Sequence, residues 1–272
     1  MYNKAYVEII NACNLSCSFC PKTKRPFKAM TKEEFSFVLD KVLPLTKYVY
    51  LHVVGEPTIH PEFEEIVRIG VEKGAKITVT TNGTKIERLY NAVKEKPIYK
   101  VNVSLTMTGG NDVNVSEYAE NVAKYARLLS AIGVIVVLRL WNKGGNDSKN
   151  GEVIKALQSV LGKFTFSDKG SVKIKENLYI EGDDVFEWDR AEEKASGFCM
   201  ALKDQFGVLS DGTVIPCCID HDGEIALGNV FEKELAEILQ SERAVNLREG
   251  LKKRKLVEPR CRHCGFNAKF DK

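Results

Sequence analysis

No stretch of the 272-residue chain is apolar for long enough to read as a membrane span or a signal peptide. The first apolar stretch, Ala5 to Ile10, is too short for either and runs straight into a group of cysteines. An excess of charge of one sign is also missing. The 40 Lys and Arg stand against 37 Asp and Glu and leave a formal +3, which is not the footprint of a nucleic-acid-binding protein. The densest basic run, Lys252, Lys253, Arg254 and Lys255 with Arg260 and Arg262 following, reads as a solvated helix end in preference to a binding patch. Internal repeats and low-complexity tracts are absent. What remains is a chain, 44% hydrophobic, long enough for one large α/β domain with a small appendage.

Cysteine is not scarce. Eight cysteines without a secretion signal imply reduced thiols in the cytoplasm, used to bind metal and not to form disulfides. Three of them, Cys13, Cys17 and Cys20, fall within eight residues as CxxxCxxC. A [4Fe–4S] cluster has four irons and normally takes four thiolates. Three thiolates hold three irons and leave the fourth open to a substrate or cofactor. Zinc sites instead close a tetrahedron with paired Cys or His ligands. The same spacing also suits one face of a helix with buried thiols, but Pro21 follows at once and Asn11, Asn14 and Ser16 interleave, so the segment reads as a loop.

From Tyr6 to about Ile180, strand-like runs alternate with amphipathic stretches. Strands are expected at Tyr6–Ile10, Tyr48–Val54, Lys76–Thr81, Lys100–Leu105 and Val134–Leu140, with a short sixth at Leu178–Ile180. Helices are expected at Thr31–Val42, Pro61–Lys73, Lys85–Val93, Ser116–Ile132 and Gly151–Leu161. Thr31 with Glu34 reads as a capping box, Pro61 as a first-turn proline, and Gly74 and Gly133 as helix C-termini. Repeated βα units with apolar strands predict a parallel sheet covered by helices, with ligands gathered at the C-terminal strand ends. The three-cysteine loop follows the first strand and lies at that end.

After Glu181 the pattern changes. Residues 182–198 form an acidic, polar connector in which Phe186 and Trp188 read as docking contacts. Residues 199–272 form a small module that opens on a hairpin, Gln205–Leu209 and Val214–Cys217 around Asp211-Gly212. Helical stretches follow at about Glu232–Gln240 and Glu242–Lys253. The module carries Cys199, Cys217, Cys218, Cys261 and Cys264. Cys261-x-x-Cys264 is a knuckle, and four of the five thiols suffice to close a zinc or a [4Fe–4S] site. Neighbouring strand residues point opposite ways, so Cys217 reads as the ligand and Cys218 as a small buried hydrophobe. His263, inside the knuckle, reads as solvated.

The first motif with its βα repeats resembles the radical S-adenosylmethionine (radical SAM) superfamily, whose CxxxCxΦC has an aromatic residue at Φ, here Phe19. The family's Gly-Gly-Glu-Pro turn after the second strand is matched by Val54-Gly55-Glu56-Pro57, with valine for the first glycine. Thr80, Thr81, Asn82 and Gly83 end the third strand as a family Thr-Asn-Gly segment does. Ser104 matches a residue that meets the SAM ribose, and Arg139 is a weaker match for one that meets its carboxylate, a structural salt bridge being the competing reading. Cys199, then twelve residues, then Gly212-x4-Cys217 agrees with the SPASM signature. With only Cys261-x-x-Cys264 beyond it, the module resembles the shorter twitch form. The architecture is similar to the radical SAM dehydrogenases of aminoglycoside biosynthesis.

The resemblance implies a partial (β/α)6 TIM-like barrel over residues 1–181, with a hairpin-plus-helix iron–sulfur module over 199–272. It implies SAM, a [4Fe–4S] cluster on Cys13, Cys17 and Cys20, and an auxiliary [4Fe–4S] cluster on Cys199, Cys217, Cys261 and Cys264. Glu56, with Gly55 and Pro57, would hold the SAM amino group, Phe19 the adenine, and Thr81, Asn82, Ser104 and Arg139 other parts of it. The implied activity is reductive cleavage of SAM to a 5′-deoxyadenosyl radical that starts the oxidation or other modification of a substrate, with the auxiliary cluster as electron relay. A small-molecule substrate is favoured because no extra peptide-recognition domain is found in 272 residues. A peptide or protein maturase, and a zinc-stapled binding protein without catalysis, are the competing readings. A reduced flavodoxin- or ferredoxin-type donor is implied, and neither nucleic acid nor membrane is an expected partner.

Overall fold

The structure, a computed structural model, describes residues 1–108, 113–185, 187–190 and 192–267. The backbone divides into two compact units: Met1–Ala12, Pro21–Gly55 and Glu187–Lys272 form one, and Cys13–Cys20 with Glu56–Phe186 form the other. Phe186, expected as a docking contact, lies outside the described residues.

In the first unit, β1 (Lys4–Val7) pairs in parallel with β2 (Tyr48–Tyr50) across the helix α1 (Lys32–Val42). The capping box is as expected: Thr31 accepts from the Glu34 amide, and Glu34 reaches back to the Thr31 amide. Phe35, Val38, Leu39 and Val42 give α1 its buried face. Both strands are shorter than their apolar runs. Ile10 leaves the ladder to bridge Ala29, and the Val54 amide is drawn to the Glu8 carboxylate at 3.3 Å. The predicted hairpin forms as β8 (Gln205–Val208) and β9 (Thr213–Ile215), with Gly212 at φ +85° in its turn. Its place is not readable from the sequence: β8 lies parallel to β1, so the C-terminal module extends the β1 sheet. β10 (Gly228–Asn229) adds antiparallel to β9. α6 (Leu235–Ile238), α7 (Glu242–Lys252) and α8 (Pro259–Arg262) complete this unit.

A buried ion pair holds the strap that follows the first cysteines. Arg25 donates to both oxygens of Glu8, at 2.7 and 2.9 Å, and to the His221 carbonyl at 2.9 Å. Glu8, on the continuation of β1, is fully buried, and its remaining capacity is used by the Val54 amide and by Ser210, from backbone and hydroxyl. Such a pair adds little net stability against a hydrophobic alternative, but losing one partner is costly because it strands the other.

The second unit is built from βα repeats. β3 (Lys76–Thr81), β4 (Lys100–Ser104), β5 (Ile135–Lys143) and β7 (Leu178–Asp184) run parallel in that order. The helices between them are α2 (Phe63–Glu72), leading into β3, then α3 (Ile86–Val93), α4 (Val115–Ala131) and α5 (Asn150–Leu161). Gly74 and Gly133 end α2 and α4 at φ +79° and +91° with open space at both Cβ positions, so backbone conformation alone selects glycine there. Pro61 does not start α2: it stands before the N-cap Glu62, and Phe63 is the first helical residue. The sixth parallel strand, β7, is longer than expected. An unexpected partner, β6 (Gly170–Lys175), lies antiparallel against it. The three lysines of residues 169–175 suit β6 to an exposed edge and hide it from an apolar pattern. Among the described residues, no helix is long and apolar enough to cross a membrane.

Candidate active site and second cysteine cluster

The three-cysteine loop and the Gly-Glu-Pro turn meet through one residue of the Thr-Asn-Gly segment. Asn82, at the end of β3, donates its backbone amide to Glu56 Oε2 at 2.6 Å and its side-chain amide to Cys13 Sγ at 3.7 Å and Asn14 Oδ1 at 3.0 Å. Asn14 in turn donates to Thr84 at 2.9 Å. The Leu15 amide also points at Cys13 Sγ, at 3.4 Å. Both sulfur contacts favour a thiolate, the form that binds iron. Burial, with Glu56 and Cys17 nearby, pushes the Cys13 thiol up, so a positively charged iron core is what makes a thiolate stable there. Cys13 is exposed, while Cys17 and Cys20 are half-buried.

Glu56 is only 2% exposed. Its Oε1 accepts from the Thr58 amide at 3.0 Å, the Thr58 hydroxyl at 2.6 Å and the Thr81 hydroxyl at 2.8 Å. Burial raises its pKa and these donors lower it, with burial prevailing. A carboxylate has about four lone-pair sites. Three contacts fall on Oε1 and one on Oε2, so the remaining acceptor capacity is on Oε2. Gly55 fixes the turn. Its φ is +84°, and a Cβ there would come within 2.8 Å of the Ala12 carbonyl oxygen, one residue before Cys13. Pro57 starts a 3-10 turn, Pro57–Ile59, capped by Glu56. Arg88 holds its far end, donating to the Thr58 carbonyl at 2.9 Å and to both oxygens of Glu64.

Phe19 is 38% exposed and has the accessibility of a ligand-facing ring. Ser104 ends β4 and shares a 3.0 Å hydrogen bond with Thr106. Arg139 lies opposite Glu181 in the β5–β7 register, 3.6 Å from its carboxylate, with its guanidinium 4.2 Å from the Trp141 ring centre. It therefore has the structural partners a strand-borne charge requires. Tyr118 on α4, missed in the sequence, donates to the Asn82 carbonyl at 2.7 Å. Within α4 it reads only as an apolar-face residue, which left nothing to single it out.

The second cysteine group forms one cavity. Cys199, Cys217, Cys261 and Cys264 all line a space of about 360 Å³, partly open to solvent, together with Asp220 and Arg260. Burial first, and the neighbouring thiols second, push Cys199, Cys217 and Cys261 upward. Four crowded sulfurs in such a space fit a polynuclear cationic core. Among the described residues, no three or more His, Cys, Asp or Glu are gathered as a single metal ion requires. Cys218 points elsewhere, as strand alternation predicts: it packs with Tyr6, Val53, Leu209 and Ile215 and shares a hydrogen bond with the Tyr6 hydroxyl. His263 is exposed. The connector wraps the knuckle: Arg190 donates to the Cys264 carbonyl at 2.9 and 2.8 Å. Trp188 meets the His221 ring edge-on at 5.4 Å. Lys252–Lys255 are exposed as expected. Arg260 is not part of that solvated run, since its side chain is only 9% exposed.

The model of the radical SAM superfamily matches residues 7–155, more than half of the chain, and that of SPASM, an iron–sulfur cluster-binding domain, matches residues 199–265. The chain belongs to the radical SAM superfamily. Membership brings SAM and a SAM-binding [4Fe–4S] cluster, and the SPASM match adds auxiliary iron–sulfur binding. The tungsten-containing aldehyde ferredoxin oxidoreductase cofactor-modifying protein of Pyrococcus furiosus is 30% identical over 131 residues, 47% of this chain and 35% of that protein. In such curated relatives the matched stretch spans about a third of their length. The structure of BtrN with AdoMet and 2-DOIA aligns with a TM-score of 0.61 at 17% identity, over 93% of this chain and 88% of BtrN. That of Streptococcus suis SuiB bound to the precursor peptide SuiA gives 0.61 at 15%, over 97% of this chain and 70% of SuiB. Both are likenesses of fold: a partial TIM-like barrel with a C-terminal iron–sulfur module.

Proposed function

We propose that the chain is a radical SAM oxidoreductase that cleaves SAM to a 5′-deoxyadenosyl radical and oxidises a small-molecule substrate. The observation that carries this is Asn82, which ties the Glu56 carboxylate and Cys13 into one site through its two nitrogens. Cys13, Cys17 and Cys20 would hold a [4Fe–4S] cluster, whose electron supplies the reductive cleavage of SAM. Glu56 Oε2 keeps room to accept from the SAM ammonium, and Asn82, with Thr81 behind it, fixes the direction of that acceptor. Gly55 and Pro57 shape the turn, Phe19 offers a face to the adenine, and Ser104 at the end of β4 and Arg139 within β5 would serve the ribose and carboxylate. Cys199, Cys217, Cys261 and Cys264 would hold one auxiliary [4Fe–4S] cluster, an electron acceptor for the substrate radical. The accompanying organisation is a core over 1–181, a connector over 182–198 and a module over 199–272.

The small-molecule reading is supported by the likeness to BtrN, whose structure holds AdoMet and 2-DOIA. The SuiB–SuiA complex supports the second reading, a peptide maturase. The electron donor would be a reduced flavodoxin or ferredoxin. The test is anaerobic reconstitution with iron and sulfide, then SAM and dithionite. About eight irons per chain, from two four-iron clusters, and formation of 5′-deoxyadenosine are expected. A colourless zinc protein that leaves SAM intact would refute the enzyme. Deuterium carried from candidate metabolites or peptides into 5′-deoxyadenosine separates the two substrate classes.

A further inference from the structure

We infer that Arg260 raises the reduction potential of the cluster held by Cys199, Cys217, Cys261 and Cys264, by keeping a fixed positive charge in the wall of their cavity. The inference rests on the proposed reading of those four cysteines as an iron–sulfur site. Arg260 precedes Cys261 directly, and its side chain lines the cavity with the four sulfurs. It is anchored there on three sides. Its guanidinium pairs with Asp189, approaches Glu224 at 3.5 Å and donates to the Ile219 carbonyl at 3.3 Å. Ile219 lies two residues beyond Cys217, so Arg260 ties together the two chain segments that carry Cys217 and Cys261.

Burial decides whose charge the cavity feels, and the buried charged groups of its wall are Arg260 and Asp220, the latter accepting from the Glu224 and Ile225 amides at 2.9 and 3.0 Å. The Arg260 side chain is 9% exposed, while Asp189 and Glu224 are 62% and 59% exposed. Water screens the two acids, whereas the Arg260 side chain is buried in the cavity wall, where its charge is screened far less. A guanidinium does not lose its proton in a protein, so the charge persists at every working pH. A four-thiolate cluster is already anionic, and reduction adds one more negative charge. A nearby buried cation favours the reduced form and raises the potential. The purely structural alternative, a fork that staples the connector to the loop after Cys217, predicts altered stability but an unchanged potential.

The test uses the full chain with Cys13, Cys17 and Cys20 replaced by alanine, reconstituted anaerobically, so that one cluster remains. Its midpoint potential is read by electron paramagnetic resonance during a dithionite titration. Arg260→Gln should shift the reduction equilibrium at least tenfold against the reduced form, about 59 mV for a one-electron couple. Arg260→Lys, which keeps the charge, should stay within threefold of the parent. An iron-loaded Arg260→Gln variant at the parent potential overturns the inference. Should that variant fail to retain iron, Asp220→Asn, which removes the buried acid from the same cavity wall, decides. If wall charge reaches the cluster the potential should rise, and an unchanged or lower value overturns the inference. A parent that binds zinc, or no cluster, instead refutes the reading of the four cysteines.

Discussion

Replacing Glu56 with glutamine should weaken the fold of the site before SAM is present. The carboxylate takes two backbone donors, from Thr58 at 3.0 Å and Asn82 at 2.6 Å, and two hydroxyls. Glutamine keeps the shape, but its amide nitrogen must face one of these backbone N–H groups whichever way the amide is turned. The hydroxyls of Thr58 and Thr81 can rotate and become acceptors, and a backbone N–H cannot. One buried donor is therefore stranded, at about 1–3 kcal/mol. Alanine strands both, for roughly 2–6 kcal/mol. Removing a buried charge returns part of this, since burial already drives the Glu56 carboxyl up, so the lower halves of these ranges apply. The assay is thermal unfolding with amide hydrogen exchange, on reconstituted protein without SAM. At about 2–4 °C per kcal/mol for chains of roughly this size, glutamine should lower the midpoint by several degrees and alanine by about twice as much. The Thr58 or Asn82 amide should exchange faster while the interior of β3 keeps its protection. If the glutamine variant unfolds at the parent temperature with both amides protected, and only SAM binding falls, the four-donor reasoning is wrong and the carboxylate serves the cofactor alone.

Cys218→Ala should leave the iron content at about eight per chain and cost about 1 kcal/mol for the lost Tyr6 hydrogen bond. An iron assay that shows half the metal would make Cys218 a ligand. Acid stability should depend on carboxylates held low in the fold, Glu64 and Asp222 among them. The Arg88 hydrogen bonds hold Glu64 below its ordinary range. Burial pushes Asp222 up, but donors from Thr23 and Lys24 outweigh it and hold the group low. A pKa lower in the folded state means that the stabilisation is complete above the unfolded carboxylate value, about 4, and is lost as pH falls through the folded value. The unfolding midpoint should be insensitive to these groups near neutrality and drop below about pH 4. Asp222→Asn should flatten that acid limb, and an unaltered limb would remove Asp222 from the account.

What was legible in the sequence was local. The Thr31–Glu34 box, the turns at Gly74 and Gly133 and the cysteine spacings each specify a short piece of backbone by themselves. Cys218 could be set aside because alternation within a strand is equally local. What was not legible depends on residues that meet across the chain. Glu8 and Arg25 close a buried pair 17 positions apart, Tyr118 reaches Asn82 over 36 positions, and β8 joins β1 from the far end of the sequence. Arg260 shows why composition misled: a run of Lys and Arg suggests solvent, and the sequence carries no mark for the one guanidinium turned inward. The burial that removes Arg260 from the basic run is also what gives its charge a lever on the four cysteines. Screened at the surface, the same residue would do nothing measurable to them. The functional weight of a charge in this chain follows from its depth and its neighbours, and position 260 is where counting charges and placing them give opposite answers.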